Sequence, residues 1–396
     1  MSGPGAYWFG EEEMESVMEV MQSGYLFRYG SENDPRFLHK VLTLEKEFAS
    51  YCGVKYALAT SSGTSSLLVS LLALGLKPGD EIIVPAYTFV ATYSACIFAG
   101  CIPVLAEIDE SLSIDPNDIE HRITPRTKAI IPVHMLGNSC NMDKIMEIAS
   151  RHRLLVLEDS CQAAGASYKG RKVGTIGDMG AFSLNIFKTI NSGDGGLVVT
   201  NNESLYEKAF GAHDQGHKPH RFGVEVGARS ILGLNFRMNE ITGAAGIAQL
   251  RKLEKIVLTL REKRAKLKEL ISQAQGFKFR ILNDPEGGDA GTLCTVIFDT
   301  KEQAQKVTKT LGSKTIDQSG WHVYANMEHV LKYLKTVGQP HTLGSYPKTD
   351  DILSRAMNIS IGVVDGGLGA GWGININSTD KEIEAAAKQF IMACKQ

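Results

Sequence analysis

Between residues 55 and 200, short apolar runs rich in Val and Ile ("KYALAT", "DEIIVPA", "IPVLAEI", "KAIIPVHM", "RLLVLED") alternate with helix-like segments such as "GTSSLLVSLLALGL" and "NMDKIMEIASRHR". Strands that are apolar throughout are buried on both faces, and strands joined by helices lie parallel. The pattern therefore predicts an α/β fold, a mostly parallel sheet with helices on both sides. Ligands in such sheets sit beyond the carboxyl ends of the strands. Chemistry is expected at the residues that follow each run.

One uncharged stretch, 82–106, is long enough to cross a bilayer. Pro85 and Pro103 bracket it and a turn is signalled at Gly100, which reads better as strand, helix, strand. The N-terminal "MSGPGAYWFGEEEMESVMEVM" has acidic residues where a signal peptide has basic ones, and predicts no secretion. Lys plus Arg is 42 against Asp plus Glu 44, a net charge of -2, so no positive field gathers nucleic acid or anionic membrane. A small-molecule partner is favoured. The seven cysteines form no CxxC pair and lie mostly in apolar runs, the pattern of reduced thiols in a cytoplasm.

At 396 residues the chain has room for more than one domain. Residues 1–250 read as a large domain with an N-terminal arm, and 251–396 as a linking helix and a small C-terminal α+β domain. The long helical pattern over 234–274 is dense in Lys, Arg and Glu, and past 251 it reads as solvated on most faces.

Four features carry chemistry, each with a plainer alternative. "TSSGTSSLL" follows a strand and opens a helix, so N–H groups at Gly63, Thr64 and Ser65 make an anion site; an ordinary N-cap looks the same. It lacks the lysine of a P-loop, and no GxGxxG dinucleotide fingerprint is present. "LLVLEDSCQA" ends a strand on Glu158 and Asp159, with Gln162 three residues beyond Asp159. A carboxylate there can hold a cationic ring nitrogen, or merely cap the next turn. Phe89 of "PAYTFVAT" can stack on a flat ring, or belong to the core. Lys188 of "SLNIFKTINSGDGG", with Ser183 five residues before it, is a candidate amine or a surface charge. An anion site, a carboxylate, an aromatic platform and a lysine together meet the needs of pyridoxal 5'-phosphate, whose aldehyde takes an amine, whose ring N–H+ takes an anion and whose phosphate takes N–H donors.

As an ordered series, "SSGTSSL", "VPAYTFVAT", "LEDSCQA", "GTIGDMGAFSLNIFKTINSGDGG" and "LGLNFRMNEITGAAG" resemble the DegT/DnrJ/StrS aminotransferases, fold type I pyridoxal-phosphate enzymes that mostly aminate keto sugars. The resemblance implies a Schiff base on Lys188, pairing of Asp159 with the pyridinium, and a ring bracketed by Gln162 and Phe89. It implies phosphate binding by Gly63, Thr64 and Ser183, and by Asn235 reaching across a homodimer interface. It also implies an amino-acid donor, glutamate or glutamine, and no metal. The blocks "GYLFRYG", "HDQGHKPHR", "LGLNFR" and "YPKTDDILSR" are similar to the octulosonate 8-aminotransferase subgroup of lipopolysaccharide synthesis, although the glycine-rich "VVDGGLGAGWGININ" is not typical of it. Asp194 stands where the family more often has Glu.

His134, Arg28 and Arg237 are candidate substrate contacts, the arginines because they bind carboxylates bidentately; packing and ion pairing are the alternatives. Lys218 and Arg221 suit an anionic sugar. His213, His217 and His220 could pass for metal ligands, but Gly216 and Pro219 break any helix between them. Competing functions are a nucleotide-sugar 3- or 4-aminotransferase, an aminohydroxybenzoate synthase-like aromatase, a dehydratase on the same cofactor, and a non-catalytic regulator. The dehydratases that do not recycle through lysine carry His at the position of Lys188, and a regulator would tolerate loss of Asp159 or Lys188.

Overall fold

The computed structural model describes residues 2–219, 227 and 229–395. Seven strands form the main sheet: β1 (Tyr56–Thr60), β2 (Glu81–Pro85), β3 (Ile102–Ala106), β4 (Thr127–Ile130), β5 (Leu155–Asp159), β6 (Met179–Ser183) and β7 (Gly196–Thr200). Their order is β1-β7-β6-β5-β4-β2-β3. The pairs from β6 through to β3 are parallel, while β7 runs against both β6 and β1. A parallel return from β6 would need a crossover, usually a helix. The connection to β7 instead holds the irregular loop that carries Lys188.

Both faces of the sheet are covered, as unbroken apolar strands require. Along β7, Leu197 and Val199 enter one apolar cluster and Val198 another; along β2, Ile82 and Val84 enter one and Ile83 another. The stretch 82–106 resolves into β2, a helix Val90–Phe98 and β3. Among the described residues no helix is long and apolar enough to cross a membrane.

Three helices matter for the site: α1 (Glu11–Ser23), α2 (Gly63–Ala73) and α3 (Glu240–Ile271). α3 starts later than the helical pattern suggests, because Asn239 caps it by accepting from the Thr242 N–H at 2.9 Å. It is not solvated on most faces either. Leu253, Ile256, Val257, Leu260, Leu267 and Ile271 recur at helical spacing and are buried, so the charged residues occupy only the outer side. A division at residue 250 falls inside this unbroken helix. Beyond it β8 (Phe277–Phe279), β9 (Leu293–Phe298) and β10 (Ala356–Ser360) form a small antiparallel sheet.

The segment that precedes α1 wedges between these parts. The Gly3 N–H donates to the Ile186 carbonyl at 2.9 Å, and Ser2 bridges to Val364. A Cβ on Gly3 would lie 2.3 Å from the Phe187 carbonyl carbon, so backbone meets backbone with no room for a side chain.

Candidate active site

The carboxyl ends of β5 and β6 and the start of α2 open onto one cavity of about 630 Å³, within the usual range for a small-molecule site. Gly63, Thr64, Phe89, Asp159, Gln162, Ser183 and Lys188 all line it. Seven residues that sequence reasoning associates with one cofactor thus converge, although they come from four separate segments.

Each is held by local chemistry. Ser62 caps α2, its Oγ accepting from the Ser65 N–H at 3.0 Å. The Ser65 N–H is therefore occupied, and the anion site narrows to the N–H groups of Gly63 and Thr64. A Cβ on Gly63 would meet the Ser183 Cβ at 2.6 Å and the Cys161 Sγ at 3.1 Å. Asp159 caps the turn, its Oδ1 accepting from the Cys161 N–H at 3.1 Å, while Oδ2, on the cavity side, accepts from Thr92 Oγ1 at 2.8 Å. Thr92 in turn shares a 2.8 Å hydrogen bond with Thr88. Gln162 Oε1 accepts from the Leu136 N–H at 3.1 Å. Phe89 is 39% exposed rather than a core residue, and the Lys188 Nζ lies 6.0 Å from its ring centroid. Asp194 also lines the cavity, its carboxylate accepting from the Asn185 amide at 3.0 Å.

Burial shifts Lys188 toward its uncharged form. Desolvation in the cavity pushes the Lys188 amine below the usual lysine range, opposed by the charges of Cys161, Asp159 and Asp365.

Three candidates are not brought to this cavity. Arg28 is buried, donating to Glu45 at 2.9 Å, to the Ala59 carbonyl at 3.2 Å and to His213 Nε2 at 3.1 Å. Arg237 is bound to the buried Asp214 and stacks over Phe27. His134 is fully buried; its Nδ1 accepts from the Cys140 N–H at 3.0 Å, which leaves Nε2–H to donate to Glu158 at 2.9 Å. Glu158 also accepts from the N–H groups of Gly174, Ile176 and Gly177. Burial raises its pKa, but these bonds outweigh that and hold it below the usual range. These three residues are fasteners, and their partners lie far away in the chain.

Asn235 is exposed and outside this cavity, its side chain bonded only to the Arg237 N–H at 3.3 Å among the described residues. Lys218 pairs with Glu207 at 2.8 Å. His213 is buried against Arg28, and the burial, with the Arg28 charge, pushes its pKa down to about 3. His220 and Arg221 lie outside the described residues. No group of three metal-ligating side chains forms among the described residues.

Sequence reading missed the wall supplied by the C-terminal part: Trp321, His322, Val363, Asp365 and Leu368. The Thr88 N–H donates to the His322 carbonyl at 3.0 Å and the Val90 N–H to the Trp321 carbonyl at 2.9 Å, seating this wall against Phe89. The glycine-rich run thus has a place: Asp365 Oδ1 accepts from the Gly367 N–H at 2.8 Å, folding a tight turn at the cavity edge. The sequence signals for this wall were that glycine-rich run and a Trp-His pair in an irregular stretch. Among the described lining residues Lys188 is the one Lys or Arg, set against Asp159, Asp194 and Asp365.

Comparison with known proteins places this arrangement. The chain is 41% identical to the GDP-perosamine synthase of Caulobacter vibrioides over 243 residues, 61% of this chain and 62% of that protein. It thus spans less than two thirds of the length of that relative. It is 35% identical to the spore coat polysaccharide biosynthesis protein SpsC of Bacillus subtilis over 300 residues, 74% of this chain and 75% of SpsC. The solved structure of Helicobacter pylori PseC, an aminotransferase involved in the biosynthesis of pseudoaminic acid, superposes with a TM-score of 0.81 at 25% identity, covering 100% of this chain and 98% of PseC. With residues 9–364 matching its model, the chain belongs to the DegT/DnrJ/EryC1/StrS aminotransferase family.

Proposed function

We propose that the chain is an aminotransferase that uses pyridoxal 5'-phosphate to pass an amino group from glutamate or glutamine to a keto sugar. The observation that carries this reading is the convergence of Lys188, Asp159, Phe89 and the open start of α2 on one cavity. The residues fit the cofactor. Gly63 leaves bare backbone where a Cβ would collide with Ser183, so Gly63, Thr64 and Ser183 would hold the phosphate at a helix N-terminus. Phe89 and Gln162 would bracket the ring, and Asp159 would keep its nitrogen protonated. When bound, the cofactor supplies an aldehyde that condenses with amines and a cationic ring that withdraws electrons. Lys188 would anchor it and then, once released, carry a proton to and from the substrate Cα. That second task needs a neutral amine, which desolvation of Lys188 favours. The presence of lysine rather than histidine supports transfer over dehydration.

The acceptor in this reading is a keto sugar, and we favour an acidic one, an 8-oxo-3-deoxy-octulosonate of lipopolysaccharide synthesis. Its reacting carbon lies at the far end from its carboxylate, which suits a cavity whose interior charges other than Lys188 are carboxylates. A nucleotide-linked keto hexose is the second reading, favoured by the name of the Caulobacter relative. The enzyme loaded with glutamate should lose its visible band and regain it with the right acceptor. Rapid return with the 8-oxo octulosonate and none with nucleotide-linked 3-keto or 4-keto hexoses supports the first acceptor; the reverse order establishes the second.

Asn235 lies outside the cavity of its own subunit, so a phosphate-binding role requires a second copy. The active unit in this reading is a symmetric dimer with shared sites, in a cytoplasm that leaves all seven cysteines unpaired. Light scattering should report twice the 43.1 kDa chain mass. A competent monomer refutes the shared site.

A further inference from the structure

His322 is the one buried side chain of the C-terminal wall that combines an ionisable ring with no evident structural duty for half of it. The residue is 5% exposed and lines the cavity. Its Nδ1 is engaged with Ser319 Oγ at 3.0 Å, while Nε2 has no protein partner among the described residues. Its ring centroid is 5.2 Å from that of Phe89, the same ring that Lys188 approaches. Burial pushes its pKa down to about 3, so the imidazole is neutral at ordinary pH. A neutral imidazole presents at Nε2 either a donor or an acceptor, according to which way the Ser319 hydroxyl turns. That versatility matches a hydroxyl group, which is both.

The loop that seats Phe89 does not depend on the imidazole. It is held by the backbone carbonyls of Trp321 and His322, which a side-chain substitution leaves in place. Nε2 faces the cavity, so a group that enters can hydrogen-bond to it.

We propose that His322 determines acceptor specificity, its Nε2 hydrogen-bonding the sugar hydroxyl next to the carbon that receives the amino group. The inference rests on the keto-sugar reading above. The donor amino acid has no hydroxyl at that place, so His322 acts in one half of the reaction only.

The two halves can be timed separately in the purified, cofactor-loaded full-length enzyme. His322→Phe removes both ring nitrogens, and His322→Gln restores an amide near the position of Nε2. Both variants should keep the visible band and lose it on adding glutamate at a rate within about 2-fold of wild type. Return of the band with a hydroxylated keto sugar should slow roughly 10-fold in His322→Phe, the scale of one neutral hydrogen bond, and recover partly in His322→Gln. Against the same acceptor lacking the neighbouring hydroxyl, wild type and His322→Phe should react alike. Equal slowing of both halves, or an unchanged ratio between the two acceptors, overturns the proposal. A wild-type band that returns with 2-oxoglutarate but with no keto sugar instead sinks the functional reading, and this proposal with it.

Discussion

Lys188→Ala is expected to give a folded protein that no longer retains the cofactor's visible absorbance and turns over roughly 10⁴-fold or more slowly. The fold should survive because the amine makes no hydrogen bond to the protein among the described residues, only an approach to the Phe89 ring. Borohydride treatment of the loaded wild type should fix the label on Lys188, and a label on another lysine would end the assignment. The pH dependence has a definite sign. Only the neutral amine attacks an aldehyde, and desolvation lowers its pKa from 10.5. Loading of the apoprotein should therefore accelerate as pH rises and level off before 10.5, where a solvated lysine would still be gaining.

Asp159→Asn should leave the fold intact and slow both halves of the reaction on the order of 10²-fold or more. An amide keeps an oxygen for the Cys161 N–H or for Thr92 but cannot hold a proton on a ring nitrogen. The Asp159 charge also raises the Lys188 pKa, so in this variant the plateau of cofactor loading should move to lower pH. Single-turnover absorbance reads both effects, and wild-type rates in the variant would place the electron-withdrawing role elsewhere.

These residues were legible because each stands where a strand ends, and the strands announce themselves by apolar runs of Val and Ile. Phe89 and Asp159 follow from that rule; Lys188 follows from its company, and Ser183 from the family resemblance. The places of the arginines and His134 were not legible, for the opposite reason. Whether a charge serves a substrate or a neighbour depends on Glu45, Asp214 and Glu158, and no local pattern reveals pairings so distant in the chain. His322 was hidden in the same way. It meets the Phe89 segment through backbone hydrogen bonds and a ring contact between two irregular loops, which leave no periodicity to read.

The wedge at Ser2–Gly5 bears on the order in which this protein is assembled. Its seats are the carbonyl of Ile186 behind the Lys188 loop, and Val364 beside the glycine-rich turn. Ser2 and Val364 are very far apart in sequence, so this contact closes a very long loop. Such contacts form late, because chain entropy opposes them until most of the structure exists. The wedge is therefore fully seated, behind the lysine loop and beside the glycine-rich turn, only once the C-terminal part has folded. A chain ending before residue 364 would have the large sheet and Lys188, yet lack the second seat of the wedge.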